Sequence, residues 1–109
     1  MDYKLVITEQ AVEQLDHIVE YLISHLKNPS AARGLLTEIE SIYCHLEKDP
    51  FVYQQCDDAF LQIKGYRKAT LHHYQYVILF LVDETGKTVY ISGIFHEKEH
   101  YSGSMKVFL

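Results

Sequence analysis

Cysteine is scarce in this chain, and the two present, Cys44 and Cys56, stand in no metal-ligand spacing. A disulfide framework or a thiolate zinc site is therefore excluded as the organising principle, and each thiol reads as a small buried hydrophobe. Long apolar runs are missing too. The longest, Tyr76 to Val82, is far too short to span a bilayer, and the opening MDYKLVITEQ has no basic segment leading into an apolar one. The expectation is a cytoplasmic protein with no membrane partner. No low-complexity tract, internal repeat, glycine-rich phosphate loop or G-x-S-x-G elbow occurs, which removes solenoids, P-loop chemistry and serine hydrolysis from consideration.

Positive charge is in short supply, and the net charge of −5 argues against wholesale nucleic-acid binding. The shortage is uneven. Residues 1–60 carry four Lys/Arg against eleven Asp/Glu, whereas residues 61–109 carry six against four, together with four of the seven histidines. Any contact with a polyanion or an acidic partner belongs to the second half.

What remains is the material of one ordinary domain of 109 residues. Tyr3 to Ile7 is β-rich and ends at Thr8, a good N-cap. Ala11, Leu15, Ile18, Val19, Leu22, Ile23 and Leu26 then recur at offsets of three and four, with Glu9, Glu13, Asp16 and Glu20 on the other side. This predicts an amphipathic helix, stopped by Asn28-Pro29. Ser30 is expected to cap a second helix with the stripe Leu35, Ile39, Ile42, Leu46, ended by Asp49-Pro50. The short turn between them implies an antiparallel helix hairpin.

After a connection over Phe51 to Ile63 and a break at Gly65, the periodicity becomes strand-like. Tyr66 to His73, Tyr76 to Val82 and Thr88 to Phe95 read as three antiparallel strands, with a turn over Asp83 to Lys87. The middle run is apolar on both faces and is expected at the centre. The expectation is an α+β domain in β-α-α-β-β-β order, one sheet with the helices on one face. Parity puts Lys68, Thr70 and His72 on one face of the first strand, and Tyr90, Ser92 and His96 on one face of the last. These two polar sets are expected to converge on the uncovered side.

The stretch HEKEH, residues 96–100, matches the H-E-x-x-H of zinc hydrolases. That motif needs a helix, so that both histidines point the same way. Here it follows directly on the strand-like ISGIF and runs into Tyr101-Ser102-Gly103-Ser104, a poor helix continuation, so no metal is expected. Cys44 and His45 are adjacent, but helical neighbours point about 100° apart. His17, His25 and His45 read as surface or packing residues. The remaining chemistry-bearing set is Arg67, Lys68, His72, His73, His96, Lys98, His100 and Tyr101, around the strand ends. Arg and Lys in such a set suit phosphate binding, and His suits proton transfer.

The chain resembles the RelE/ParE superfamily, the toxins of bacterial type II toxin–antitoxin systems. The likeness covers nearly the whole sequence. It rests on an N-terminal strand, VITEQAVEQLDHIVEYL, NPSAARGLLTEIESIYCHLEKDP with its L-x-x-x-P close, GYRKATLHHYQYVILFLVDE, and TVYISGIFHEKEHY. The resemblance implies growth inhibition relieved by a cognate antitoxin, whose disordered segment folds over exposed apolar and basic surface.

RelE-like members cut mRNA in the ribosomal A site, where the 2′-hydroxyl attacks the adjacent phosphate. On that reading Arg67, Lys68, His96, His100 and Tyr101 are the catalytic candidates, without metal. ParE-like members block DNA gyrase instead. The central strand QYVILFLV lacks the basic residue of the nucleases, and the acidic total is unusual for a toxin that approaches ribosomal RNA. The long helix hairpin is more like the ParE branch, so gyrase inhibition is the favoured expectation, with mRNA cleavage and a non-catalytic binding module as alternatives. Lys68, His72, His73, Lys98, Val107 and Phe108 are the candidate binding residues, with no cofactor.

Overall fold

The computed structural model describes residues 2–97. Strand β1 (Lys4–Ile7) leads through Thr8 into helix α1 (Glu9–Glu20). Thr8 is extended and its hydroxyl oxygen accepts from the Ala11 amide at 3.3 Å, while the hydroxyl donates to the Ile91 carbonyl at 2.8 Å. One side chain thus caps the helix and ties it to the sheet.

The helix continues as a π-helical turn, Tyr21–His25, closed by the Leu26 amide on the Tyr21 carbonyl at 3.2 Å. Lys27 then takes a left-handed φ of 52° and reverses the chain into α2 (Pro29–Lys48). Asn28, not the expected Ser30, is the cap, accepting from the Ala31 amide at 3.1 Å. The reason is Pro29: its fixed φ and missing N–H suit the first helical position, so the helix starts one residue before Ser30.

The stretch 51–63 is more than a connection. Asp49 accepts from Phe51 N at 3.2 Å at the start of a 3₁₀ turn, Pro50–Val52, and Asp58 caps a short helix α3 (Ala59–Ile63) through Leu61 N at 3.1 Å. Five residues are too few for apolar periodicity to register in a sequence. Cys56 N donates to the Tyr66 carbonyl at 3.1 Å and Lys68 N to the Gln54 carbonyl at 3.1 Å, so this segment borders strand β2 (Arg67–Thr70).

Strands β3 (Tyr76–Asp83) and β4 (Thr88–His96) complete a four-stranded sheet in the order β1-β4-β3-β2. The pairs β2–β3 and β3–β4 are antiparallel, and β1 joins β4 in parallel, with Ile7 opposite Ile91. The strand expected at 66–73 is shorter, because the chain bends after Leu71 and the amides of His72 and His73 turn to the Glu38 carboxylate on α2.

The main core lies between the helix hairpin and one sheet face: Leu35, Ile39 and Leu46 of α2 meet Ile78, Phe80, Val89 and Ile91. Each such fully buried side chain stabilises by roughly 1.5–3 kcal/mol relative to exposure. The other face is not open. Cys56, Leu61, Tyr66, Val77, Leu79 and Phe95 form a second core under α3. Burial pushes the Cys56 thiol up to about 11, and the nearby Lys68 only partly offsets this. Cys44, read as buried from the sequence, is exposed on α2.

Strand β4 does not keep its parity. Leu79 pairs with Gly93 and Phe80 with Ile91, so Ser92 is an extra, bulged residue. Ile91 and Ile94 both join the helix-side core, whereas Phe95 joins the second one. The expected convergence of Lys68 and Thr70 with His96 on one face therefore fails: the bulge turns His96 to the helix side, where it joins Ile94 and residues of α1 around a common cleft.

Candidate functional site

Adjacent strand residues point to opposite faces, and this separates the two cations of β2. Arg67 pairs with Phe80 of the helix-side core. Its Nη1 donates to the Tyr53 carbonyl at 2.7 Å, and its guanidinium lies 5.0 Å over the Phe51 ring. Lys68 pairs with Leu79 of the second core and reaches Asp57 with Nζ–Oδ2 at 3.2 Å. Arg67 shares its face with His96 but sits opposite Phe80, while His96 sits opposite Tyr76. Four residues of strand separate these positions, roughly 13 Å.

His72 and His73 are exposed, just past β2. Both backbone amides donate to Glu38, and His73 Nδ1 lies 3.2 Å from Glu38 Oε1. Burial raises the Glu38 carboxyl, but the two amides and His73 outweigh it and hold the group below its ordinary value. Lys98, His100, Tyr101, Val107 and Phe108 lie outside the described residues.

The feature that gathers polar groups is a cleft of about 410 Å³ between α1 and the end of β4. Strand β1 stops at Ile7 and the chain turns into α1, so beyond Ile91 strand β4 is flanked by helix instead of strand. Helix α1 supplies Gln10, Glu13, Gln14, His17 and Ile18, the π-helical turn supplies Tyr21, and the sheet supplies Tyr76, Ile94 and His96. The Gln14 side-chain oxygen accepts from the Ile94 amide at 2.8 Å, standing in for the missing strand. Gly93 makes that approach possible, since a Cβ there would lie 3.2 Å from the same oxygen and 2.4 Å from the Phe95 ring.

His96 meets Tyr76 edge to face, with centroids 5.3 Å apart at 79°, and Tyr21 stacks on His25 at 5.3 Å and 22°. Of the residues expected at the site, only His96 lies here. The helical lining was missed: Gln10, Glu13 and Gln14 sit among the polar positions of an amphipathic helix, and His17 reads as a surface residue. The four-residue spacing of His17 and Tyr21, which puts both on one helix face, is the signal that could have found them. Among the described residues the lining contains one carboxylate, two imidazoles and two phenols, but no lysine or arginine. Among the described residues no cluster of three or more His, Cys, Asp or Glu suits a metal ion. No described helix is long and apolar enough to cross a membrane. Tyr43 on α2 has a buried hydroxyl without a partner among the described residues, and burial pushes its phenol up to about 12. It is therefore neutral at ordinary pH.

This architecture is shared with chains of solved toxin–antitoxin complexes. The chromosomal ParDE system of P. aeruginosa superimposes with a TM-score of 0.69 at 22% identity, covering 86% of this chain and 95% of that one. The RelBE2 complex of Mycobacterium tuberculosis gives a TM-score of 0.59 at 21% identity, covering 88% and 99%. A search of curated proteins finds no significant match. A family model described as the ParE toxin of the type II toxin–antitoxin system parDE matches residues 5–101, and the chain belongs to that family.

Proposed function

We propose that this toxin, when free, inhibits DNA gyrase, and that a cognate antitoxin neutralises it by binding. The match to the ParE family over residues 5–101 carries the reading. The antitoxin follows from the nature of the family and from the two structural neighbours, both drawn from toxin–antitoxin complexes.

The arrangement of charge supports gyrase over mRNA as the target. Cleaving RNA through its 2′-hydroxyl needs cations to neutralise the phosphate beside groups that move protons. Among the described residues the cleft holding His96 and His17 contains no lysine or arginine, and Arg67 and Lys68 face opposite sides of the sheet.

The test is a pair of reactions on one preparation that arrests growth when expressed without antitoxin. Gyrase supercoiling is expected to be inhibited and restored by the antitoxin, while mRNA on translating ribosomes keeps its original 5′ ends. Cuts within A-site codons would replace this reading with ribosome-dependent cleavage, and would put His96, His100 and Tyr101 first among the residues to mutate. Normal growth on expression would leave a binding module without toxicity.

A further inference from the structure

We propose that the cleft between α1 and the end of β4 is a guanidinium site, occupied by an arginine of the antitoxin segment. The proposal rests on the antitoxin reading above, and the site's chemistry names the residue that fits.

Three features of the cleft point to a planar cation. The first is charge: among the described residues Glu13 is the one acidic residue of the lining, which holds no lysine or arginine. Asp16 and Glu20 of the same helix line a different hollow. The second is the walls. Tyr21, 49% exposed, stands at one side, and Tyr76 with the His96 ring against it at 5.3 Å stands at the sheet side. A cation held over aromatic faces gains from the ring quadrupole, and a guanidinium also stacks as a plane. The third is the floor of Ile18 and Ile94, which suits the aliphatic stem of a long basic side chain. A volume of about 410 Å³ leaves room for flanking backbone as well.

Arginine is favoured over lysine because its fork can pair with the Glu13 carboxylate while its plane lies on a ring. The eleven acidic residues against four basic ones in residues 1–60 favour positive charge in a partner segment that docks on this half of the chain.

The first experiment titrates Nα-acetyl-L-arginine amide into the full-length protein and follows backbone amides by NMR. Saturable shifts are expected at Glu13, Gln14, His17, Tyr21 and Ile94. The lysine analogue should bind more weakly and the glutamine analogue not at all. Glu13→Gln, a change on an exposed helix face, should weaken arginine binding roughly fivefold with the remaining spectrum unchanged. Shifts that do not saturate, that fall elsewhere, or that are the same for Glu13→Gln would overturn the site.

The second experiment measures antitoxin affinity for wild type and Glu13→Arg. A weakened complex, restored when one antitoxin arginine is changed to glutamate, is the expected result. Equal affinities would sink the arginine site while leaving the antitoxin reading intact. If no antitoxin binds even to wild type, the antitoxin reading fails, and with it this occupant, whatever the arginine probe shows.

Discussion

Glu38 shows how one side chain can hold two elements in place. It sits on α2, yet it receives the amides of His72 and His73 from the bend after β2, and His73 Nδ1 lies 3.2 Å from it. Losing it leaves two backbone donors without a charged acceptor. Glu38→Ala is expected to destabilise the fold by about 1–3 kcal/mol, and Glu38→Gln, which keeps one acceptor oxygen, by less. The sign of the pH dependence follows from the lowered carboxyl. Its contribution is fully present above the ordinary carboxylate pKa and is lost as pH falls through the lower folded value. Urea unfolding of wild type and Glu38→Gln should therefore show a clear gap at about pH 7 that closes toward about pH 3. A gap that is constant with pH would mean the carboxylate charge plays no part.

At the scale of elements, the bulge at Ser92 decides where the cleft lies. Regular pairing would have put His96 on the side of Tyr90, as strict alternation along β4 predicts; one extra residue moves it to the helix side with Ile94. The helix stripes, the strand positions and the order of elements were legible, because apolar periodicity and the Asn28-Pro29 and Asp49-Pro50 breaks are local signals. The bulge was not, because it is set by pairing with β3 and by the space Gly93 leaves for Phe95 and Gln14. Helix α3 was hidden for a different reason, being too short to show a period. Arg67 and Lys68 were legible as cations, but their separation by Tyr53, Phe51 and Asp57 depends on the 51–63 segment folding back.

The role of Gly93 can be checked directly. A Cβ there would lie 2.4 Å from the Phe95 ring, which is 2% exposed and cannot swing away without opening the second core. Gly93→Ala is expected to cost about 1–3 kcal/mol through this overpacking. It should also push Gln14 off the Ile94 amide, which then exchanges its hydrogen faster than its neighbours do relative to wild type. Unchanged stability and unchanged exchange at Ile94 would show that the cleft edge relaxes freely.

For the whole molecule, charge limits how a target can be reached. Affinity for duplex DNA grows with the number of phosphates neutralised by lysine and arginine, and falls steeply as salt rises. Here the total is −5, Arg67 and Lys68 face opposite sides of the sheet, and the hairpin that forms one flank of the molecule is acidic. On the proposed gyrase reading, a toxin of this charge is recruited by protein surface, with DNA held by the enzyme. Two measurements at about 150 mM salt should accordingly diverge. The protein alone is expected not to retard a duplex DNA fragment, whereas inhibition of supercoiling should persist and change little between about 50 and 200 mM salt. Retardation by the protein alone, with inhibition falling several-hundredfold across that range, would instead make phosphate contacts the source of affinity. The basic second half of the chain, at +2 with four of the seven histidines, would then be the surface in contact with nucleic acid.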